Sequence, residues 1–339
     1  MATSAMPLAH SGSRTVARTL SSLGTAPQSL PSENPFEHIE SHVRDEVRWT
    51  VEPNEQGARL RDHAVSVFKP AETAEPKGTV VLFHGFTAGP WQYKEMAEQL
   101  HSEGFHVYAP RMPGHGLVDE SGKPWRKDIP DTGEGHVWND FIDETIEDAK
   151  ELGAPVYAVG LSGGGGVALK SAQRHEDVEA VAAMAPFVGG DGIAGALLPV
   201  LNVVDMVTFG LFGKLLNTIP LGKAKPSAKD DPTPRTPATL GQALAMYRVG
   251  SSVEQLEQPL QLLTTAKDSV SGVRANRKLY QAGDEEGHQN GWYHFPAEEK
   301  VKHAMLSRLE NPNTSSVETV EEIVSKFLSE GSTSVRLPS

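Results

Sequence analysis

Apolar positions in this chain fall into two kinds of run that alternate. Residues 79–83 (Thr-Val-Val-Leu-Phe) are continuous and β-branched, as in a strand covered on both faces. Tyr93, Met96, Ala97 and Leu100 then recur at helical spacing until Gly104. The unit repeats. Residues 106–109 form a short strand, and Trp138, Phe141, Ile142, Ile146, Ala149 and Leu152 form a helical stripe stopped by Gly153. Residues 155–160 are a buried strand, 167–173 a helix and 178–185 a strand. This rhythm predicts an α/β fold, a parallel sheet with helices on both faces.

Both ends of this region are less regular. Residues 47–51 and 65–68 alternate with period two around a turn-like stretch and read as opening strands. From 189 to 258 the rhythm stops, and apolar segments give way to a proline-rich loop over 225–237, as in an insertion. It resumes with a strand at 260–264, a helical run at 273–280 and a strand at 291–295. A last helix carries Val317, Val320, Ile323, Val324, Phe327 and Leu328, with Ser315 and Glu318 spaced as a capping box. The expected division is a flexible arm over 1–44, a core over 45–188 and 259–330, a cap over 189–258 and a flexible tail over 331–339.

Charge and composition narrow the partners. With 31 basic and 44 acidic residues the net charge is −13, a field that disfavours nucleic acid and anionic surfaces and suits a neutral or cationic small substrate. Cysteine is absent, which removes thiol nucleophiles, disulfides and cysteine-ligated zinc. Residues 1–32 hold Arg14 and Arg18 but no acid and no sustained apolar run, so they do not read as a secretory signal. The cytoplasm is the expected location, with organelle targeting by this arm as the alternative. The most apolar stretch, 192–221, is interrupted by Pro199, Asp205 and Lys214, which argues against a membrane span. Oligomeric state is not legible.

The chemistry centres on Gly160-Leu161-Ser162-Gly163-Gly164, a G-x-S-x-G pattern between a predicted strand and a predicted helix. At such a turn the serine takes strained backbone angles, and the positions two before and two after it must be small. A helix N-terminus beside the hydroxyl offers unpaired amides to an oxyanion. The alternative is a glycine-rich turn with an idle serine. Chemistry demands a histidine and a carboxylate to activate the hydroxyl. Parallel α/β sheets build sites at the C-terminal ends of strands. Of the 13 histidines, His303 meets that condition, lying after the strand at 291–295; His294 lies inside it and reads as packed. His84 and His115 sit in earlier loops with an expected structural role, and His10 and His38 precede the fold. Asp268 follows the penultimate strand and reads either as the acid or as a turn aspartate; Asp284 belongs to a charged loop. The order Ser162, Asp268, His303 is that of a serine hydrolase triad.

At these residues the sequence resembles the α/β-hydrolases over about 45–330, apart from the insertion. His84-Gly85-Phe86 resembles the family's oxyanion loop, and Pro113-Gly114-His115-Gly116 its P-G-H-G loop. Within the family it is most similar to the monoacylglycerol lipase and carboxylesterase branch. The resemblance implies an eight-stranded, mostly parallel sheet with a cap after the sixth strand. It implies that Ser162 attacks an ester carbonyl, His303 moves the proton, Asp268 holds the imidazole, and the amides of Phe86 and Gly163 form the oxyanion hole. Gly160, Gly164, His84 and Gly85 support that geometry. Four consecutive glycines, 163–166, depart from the usual helix start; they serve either close packing or a bare floor for substrate.

Leu197, Leu198, Val200, Leu201, Val203, Val204, Met206, Val207, Phe209, Leu211 and Phe212 would line an acyl pocket or pack the cap onto the core. The resulting expectation is a carboxylic ester hydrolase acting on short- to medium-chain esters or monoacylglycerols. Thioester, amide or carbon–carbon bond hydrolysis with the same triad, or a ligand-binding receptor on this fold, are the alternatives. Triad chemistry requires no cofactor, and no H-E-x-x-H or paired-cysteine motif points to a metal.

Overall fold

A computed structural model describes residues 34–339 except 126–127, 191, 222–235, 267, 269, 285–289, 309–310, 312–313 and 339. The first element is helical where alternation predicted a strand: α1 spans Glu37–Val51. Its inward stripe is Ile39, Val43, Glu46 and Trp49, spaced three or four apart, while Val47 and Val51 face solvent. The carboxylate in that stripe breaks the apolar pattern, so a short alternation of Val47, Trp49 and Val51 mimics a strand. Residues 37–44, expected in the flexible arm, thus belong to this helix, and residues 1–33 of that arm lie outside the described residues.

Two short strands, β1 (Arg59–Leu60) and β5 (Leu117–Val118), pair apart from the main sheet. The main sheet holds β2 (Val67–Lys69), β3 (Thr79–Phe83), β4 (His106–Ala109), β6 (Val156–Leu161), β7 (Val178–Met184), β8 (Leu260–Thr265) and β9 (Gly291–Phe295). Their order is β2-β4-β3-β6-β7-β8-β9, with only β2 antiparallel. Among the described residues the main sheet therefore holds seven strands where eight were expected, because 47–51 is helical.

Helices α2 (Lys94–Ser102) and α9 (Thr314–Glu330) cover one face through Met96, Leu100, Val320, Val324 and Phe327. The helices α3 (Gly135–Lys150), α4 (Gly163–Arg174) and α8 (Val273–Asp284) cover the other through Trp138, Ile142, Val167, Leu169 and Leu279. Ser315 falls inside α9, so it is not the residue that caps it. Both faces of the parallel strands are buried, which is why these strands read as unbroken apolar runs.

The insertion contributes α5 (Gly192–Val207), α6 (Leu211–Leu216) and α7 (Leu240–Ser251). It follows the fifth strand of the sheet, not the sixth, for the same reason that the strand count is lower. The α7 helix is shared: Leu244 and Tyr247 join a cap cluster with Leu198 and Leu216, whereas Met246 and Val249 belong to the core. Of the apolar cap inventory, Leu198 is buried and Leu201 and Phe212 pack beside it, but Leu197, Val200, Val203, Met206, Val207, Phe209 and Leu211 face solvent. Most of the proline-rich loop lies outside the described residues.

The chain end also departs from expectation. Arg336 bridges Tyr293, its amide donates to Trp292 O at 2.7 Å and its carbonyl accepts from His294 N–H at 2.7 Å. Ser334 exchanges hydrogen bonds with Gln261. The expected flexible tail is thus bonded along the free edge of β9, where unpaired strand groups need partners.

Register places the site. Phe83 stands beside Gly160, Leu161 beside Met184, and Thr265 beside Phe295. The loops that leave these aligned strand ends carry His84 to Thr87, Ser162, Asp268 and His303 to one rim of the sheet.

Candidate active site

Ser162 lies between β6 and α4 with φ 58° and ψ −118°. A non-glycine residue there is strained, so the surroundings must hold it. Its N–H donates to Met184 O at 2.8 Å, and its carbonyl accepts from Phe187 N–H at 2.9 Å and Gly166 N–H at 3.2 Å. The flanking glycines are required by distance. A Cβ on Gly160 would stand 2.1 Å from Gly164 O, and one on Gly164 would stand 2.0 Å from Phe83 O. Close packing also explains the next two, since a Cβ would lie 2.9 Å from Pro186 on Gly165 and 3.0 Å from Gly250 Cα on Gly166. Gly163 differs, facing the Phe86 Cβ and the Met246 side chain at 2.8 and 3.2 Å.

His303 and Asp268 meet the serine from separate loops. Ser162 Oγ lies 2.8 Å from His303 Nε2, and His303 Nδ1 lies 2.8 and 2.9 Å from the two Asp268 oxygens. An ionised carboxylate only accepts, which puts the proton on Nδ1 and leaves Nε2 to accept from the serine hydroxyl. Asp268 also accepts from Val270 N–H at 2.8 Å, Ser271 N–H at 3.0 Å and the Ser271 hydroxyl. Burial works against its charge, yet the His303, Ser271 and Val270 donors outweigh it and hold the carboxyl below its ordinary range. Asp268 is therefore at once the turn aspartate and the histidine's partner.

The His303 loop is fixed by a residue that no sequence pattern exposed. Asn311 is buried; its oxygen accepts from Lys302 N–H at 2.7 Å and its amide donates to Ala304 O and Ser307 O at 3.0 and 2.9 Å. The Thr265 hydroxyl donates to Val301 O at 2.8 Å. Among the other histidines, His294 bonds Thr264 in the sheet and His38 pairs with Asp148 far along the chain. His10 and Asp284's side chain are outside the described positions.

The two loops expected beside the serine are built around neutral histidines. His84 donates from Nδ1 to Gly85 O at 3.0 Å and accepts at Nε2 from Met112 N–H at 3.0 Å. His115 donates from Nδ1 to Pro113 O at 2.9 Å and accepts at Nε2 from Thr87 N–H at 3.0 Å. Their rings meet edge to face at 5.1 Å. The Gly85 N–H is taken by Gln92 Oε1 at 2.7 Å, a second residue that sequence reading missed. The N–H groups of Phe86 and Gly163 donate to no acceptor among the described residues. No group of three or more His, Asp or Glu side chains is gathered as a metal site would be, among the described residues.

Burial pushes the His84 imidazole well below its ordinary range and lowers His115 to about 4. The unfolded chain therefore takes up protons near pH 6.5 that the folded protein refuses, at His115 until about pH 4, so stability falls as pH drops below 6.5. Each unbalanced histidine contributes a slope of about 1.4 kcal/mol per pH unit. Buried Glu46, lowered to about 2, adds its loss only below pH 4.5. Thermal melts between pH 7 and 4.5 should show a steep loss of Tm, and His115→Gln should remove about one proton from that slope. An equal slope in the variant would overturn the assignment.

Residues 74–297 match the model of the Hydrolase_4 family, described as serine aminopeptidase, S33. A thermostable monoacylglycerol lipase of Bacillus sp. (strain H-257) is 25% identical over 193 residues, 56% of this chain and 70% of that one. Among solved structures, the Paleococcus ferrophilus monoacylglycerol lipase is 21% identical, with a TM-score of 0.55 over 79% of this chain and 98% of that one. A soluble variant of monoglyceride lipase from Saccharomyces cerevisiae is 18% identical, with a TM-score of 0.59 over 80% and 92%. The class is that of the α/β-hydrolases, with a mostly parallel sheet flanked by helices. The chain belongs to the Hydrolase_4 family. No helix among the described residues is long and apolar enough to cross a membrane.

Proposed function

We propose that the protein hydrolyses short- to medium-chain carboxylic esters or monoacylglycerols through an acyl-enzyme on Ser162. One observation carries the reading: the unbroken hydrogen-bonded chain from Ser162 Oγ through His303 to Asp268, each link 2.8 Å. His303 Nε2 takes the hydroxyl proton as Oγ attacks the carbonyl, and Asp268 stabilises the imidazolium that forms. The amides of Phe86 and Gly163 receive the oxyanion, each such donor contributing about 3 kcal/mol to the transition state. His303 returns the proton to the leaving alcohol, and water, activated by the same histidine, releases the acid.

Neutral acyl substrates fit the net charge of −13 and the exposed apolar side chains of the cap, Leu197 and Phe209 among them. The 25%-identical relative's own activity as a monoacylglycerol lipase supports the glyceride. Amide hydrolysis is the second reading, favoured by the family's description as a serine aminopeptidase. The decisive assay sets p-nitrophenyl esters from acetate to palmitate and monoacylglycerols against aminoacyl p-nitroanilides. Ester turnover with a short- to medium-chain optimum is expected. Turnover of the anilides alone moves the amide reading ahead.

A further inference from the structure

We infer that Glu46 and Arg111 are positioning residues for the oxyanion-binding amide of Phe86, acting through His115 and Thr87. The inference rests on the proposed esterase reading, which makes that amide part of the reaction.

Thr87, the residue after Phe86, has φ 71°. A β-branched residue rarely enters this left-handed region, so the loop must be held there from outside. It is held at both ends of one residue. Thr87 N–H donates to His115 Nε2 at 3.0 Å, and Thr87 O accepts from Thr236 N–H at 2.7 Å. The Phe86 ring also packs on the His115 ring at 5.7 Å. Where His115 sits therefore decides where the Phe86 amide points.

His115 is placed in turn by Arg111. The Arg111 guanidinium donates to His115 O at 3.2 Å and, from Nε, to Glu46 Oε1 at 2.7 Å. Ser66 is bracketed by the same pair: its N–H donates to Glu46 Oε2 at 2.6 Å, and its hydroxyl accepts from Arg111 N–H at 2.8 Å. Glu46 is fully buried, and the Arg111 side chain is only 10% exposed. Hence α1 reaches the oxyanion loop through one continuous set of hydrogen bonds, all of them within 3.2 Å.

A buried ion pair is weak evidence for stability, because two hydrocarbons of similar volume often serve as well. Such a pair does impose direction, which hydrocarbons do not. Here the direction ends on the residue next to a proposed oxyanion donor. That separates positioning from scaffolding and makes the two experimentally distinct.

The test uses the double variant Glu46→Leu with Arg111→Met in the full chain, assayed on the best ester and on its thionoester, in which C=S replaces C=O. Sulfur is larger and accepts hydrogen bonds weakly, so the ester to thionoester ratio in kcat reads the aim of the oxyanion donors. The double variant is expected to keep its Tm within about 3 °C. Its ester kcat should fall about tenfold with KM within about twofold, and the ratio should fall about tenfold with it. Thr87→Gly, which releases the strain without threatening the fold, should reduce the ratio in the same way. A ratio unchanged in both variants, or a kcat that is intact when stability is intact, overturns the positioning role while leaving the esterase reading in place. Absence of Ser162-dependent ester turnover in the unaltered protein overturns the esterase reading and the inference with it.

Discussion

Replacing Ser162 by alanine is expected to lower kcat on p-nitrophenyl esters by about 10⁵-fold or more. The size follows from what the hydroxyl does alone. In the proposed mechanism His303 and Asp268 serve a covalent route that begins at Ser162 Oγ, so the three side chains would behave as one unit and losing the nucleophile would forfeit that route entirely. What would survive in that mechanism is substrate binding and the proposed oxyanion donors, the Phe86 and Gly163 amides. Folding should be nearly indifferent. Alanine bears the same strain at φ 58°, and the backbone bonds to Met184, Phe187 and Gly166 do not involve the side chain. Burst kinetics on the unaltered protein and a matched melting curve on the variant separate lost chemistry from lost structure. A variant that retains a tenth or so of the activity would place the nucleophile elsewhere.

The second large effect is on the fold, and its sign is opposite to the usual rule. Alanine for glycine inside a helix ordinarily gains about 1 kcal/mol. At Gly164 the added Cβ would lie 2.0 Å from Phe83 O and 2.4 Å from His84 O, so backbone must move. Overpacking against side chains already costs about 1–3 kcal/mol, and carbonyl groups at a strand end yield less than side chains do. Repulsion wins, and Gly164→Ala should lose at least about 2 kcal/mol, read as a Tm lower by about 4 °C or more. Gly135→Ala is the control, since nothing lies within 4 Å of its added Cβ and it opens α3. It should leave Tm unchanged or raise it. A Gly164→Ala protein as stable as the control would mean that helix and strand are not in the contact described.

How much of this was legible depends on the range over which each residue is constrained. Ser162 was legible because strand, glycine pair and helix are local and leave a mark within a few positions. Asp268 and His303 needed only the rule that chemistry gathers at strand ends. Residues 47–51 misled because three apolar positions at period two fit a strand, while the true inward stripe of α1 contains Glu46. A buried charge is apolar in neither pattern. Nothing near Glu46 in sequence announces Arg111, which pairs with it across 65 positions.

The sequence by itself determined the alternation of strands and helices, the elbow around Ser162 and the chain order of its partners, because burial and backbone strain act on neighbours along the chain. Tertiary structure alone decided that Gln92 occupies the Gly85 amide, that Asn311 holds the His303 loop, and that Glu46 reaches the P-G-H-G loop. It also decided that most of the cap's apolar side chains face solvent and that the chain end lies along β9. Those are pairings of polar groups and surfaces distant in sequence, and any asparagine, glutamine or glutamate looks the same until folding supplies its partner.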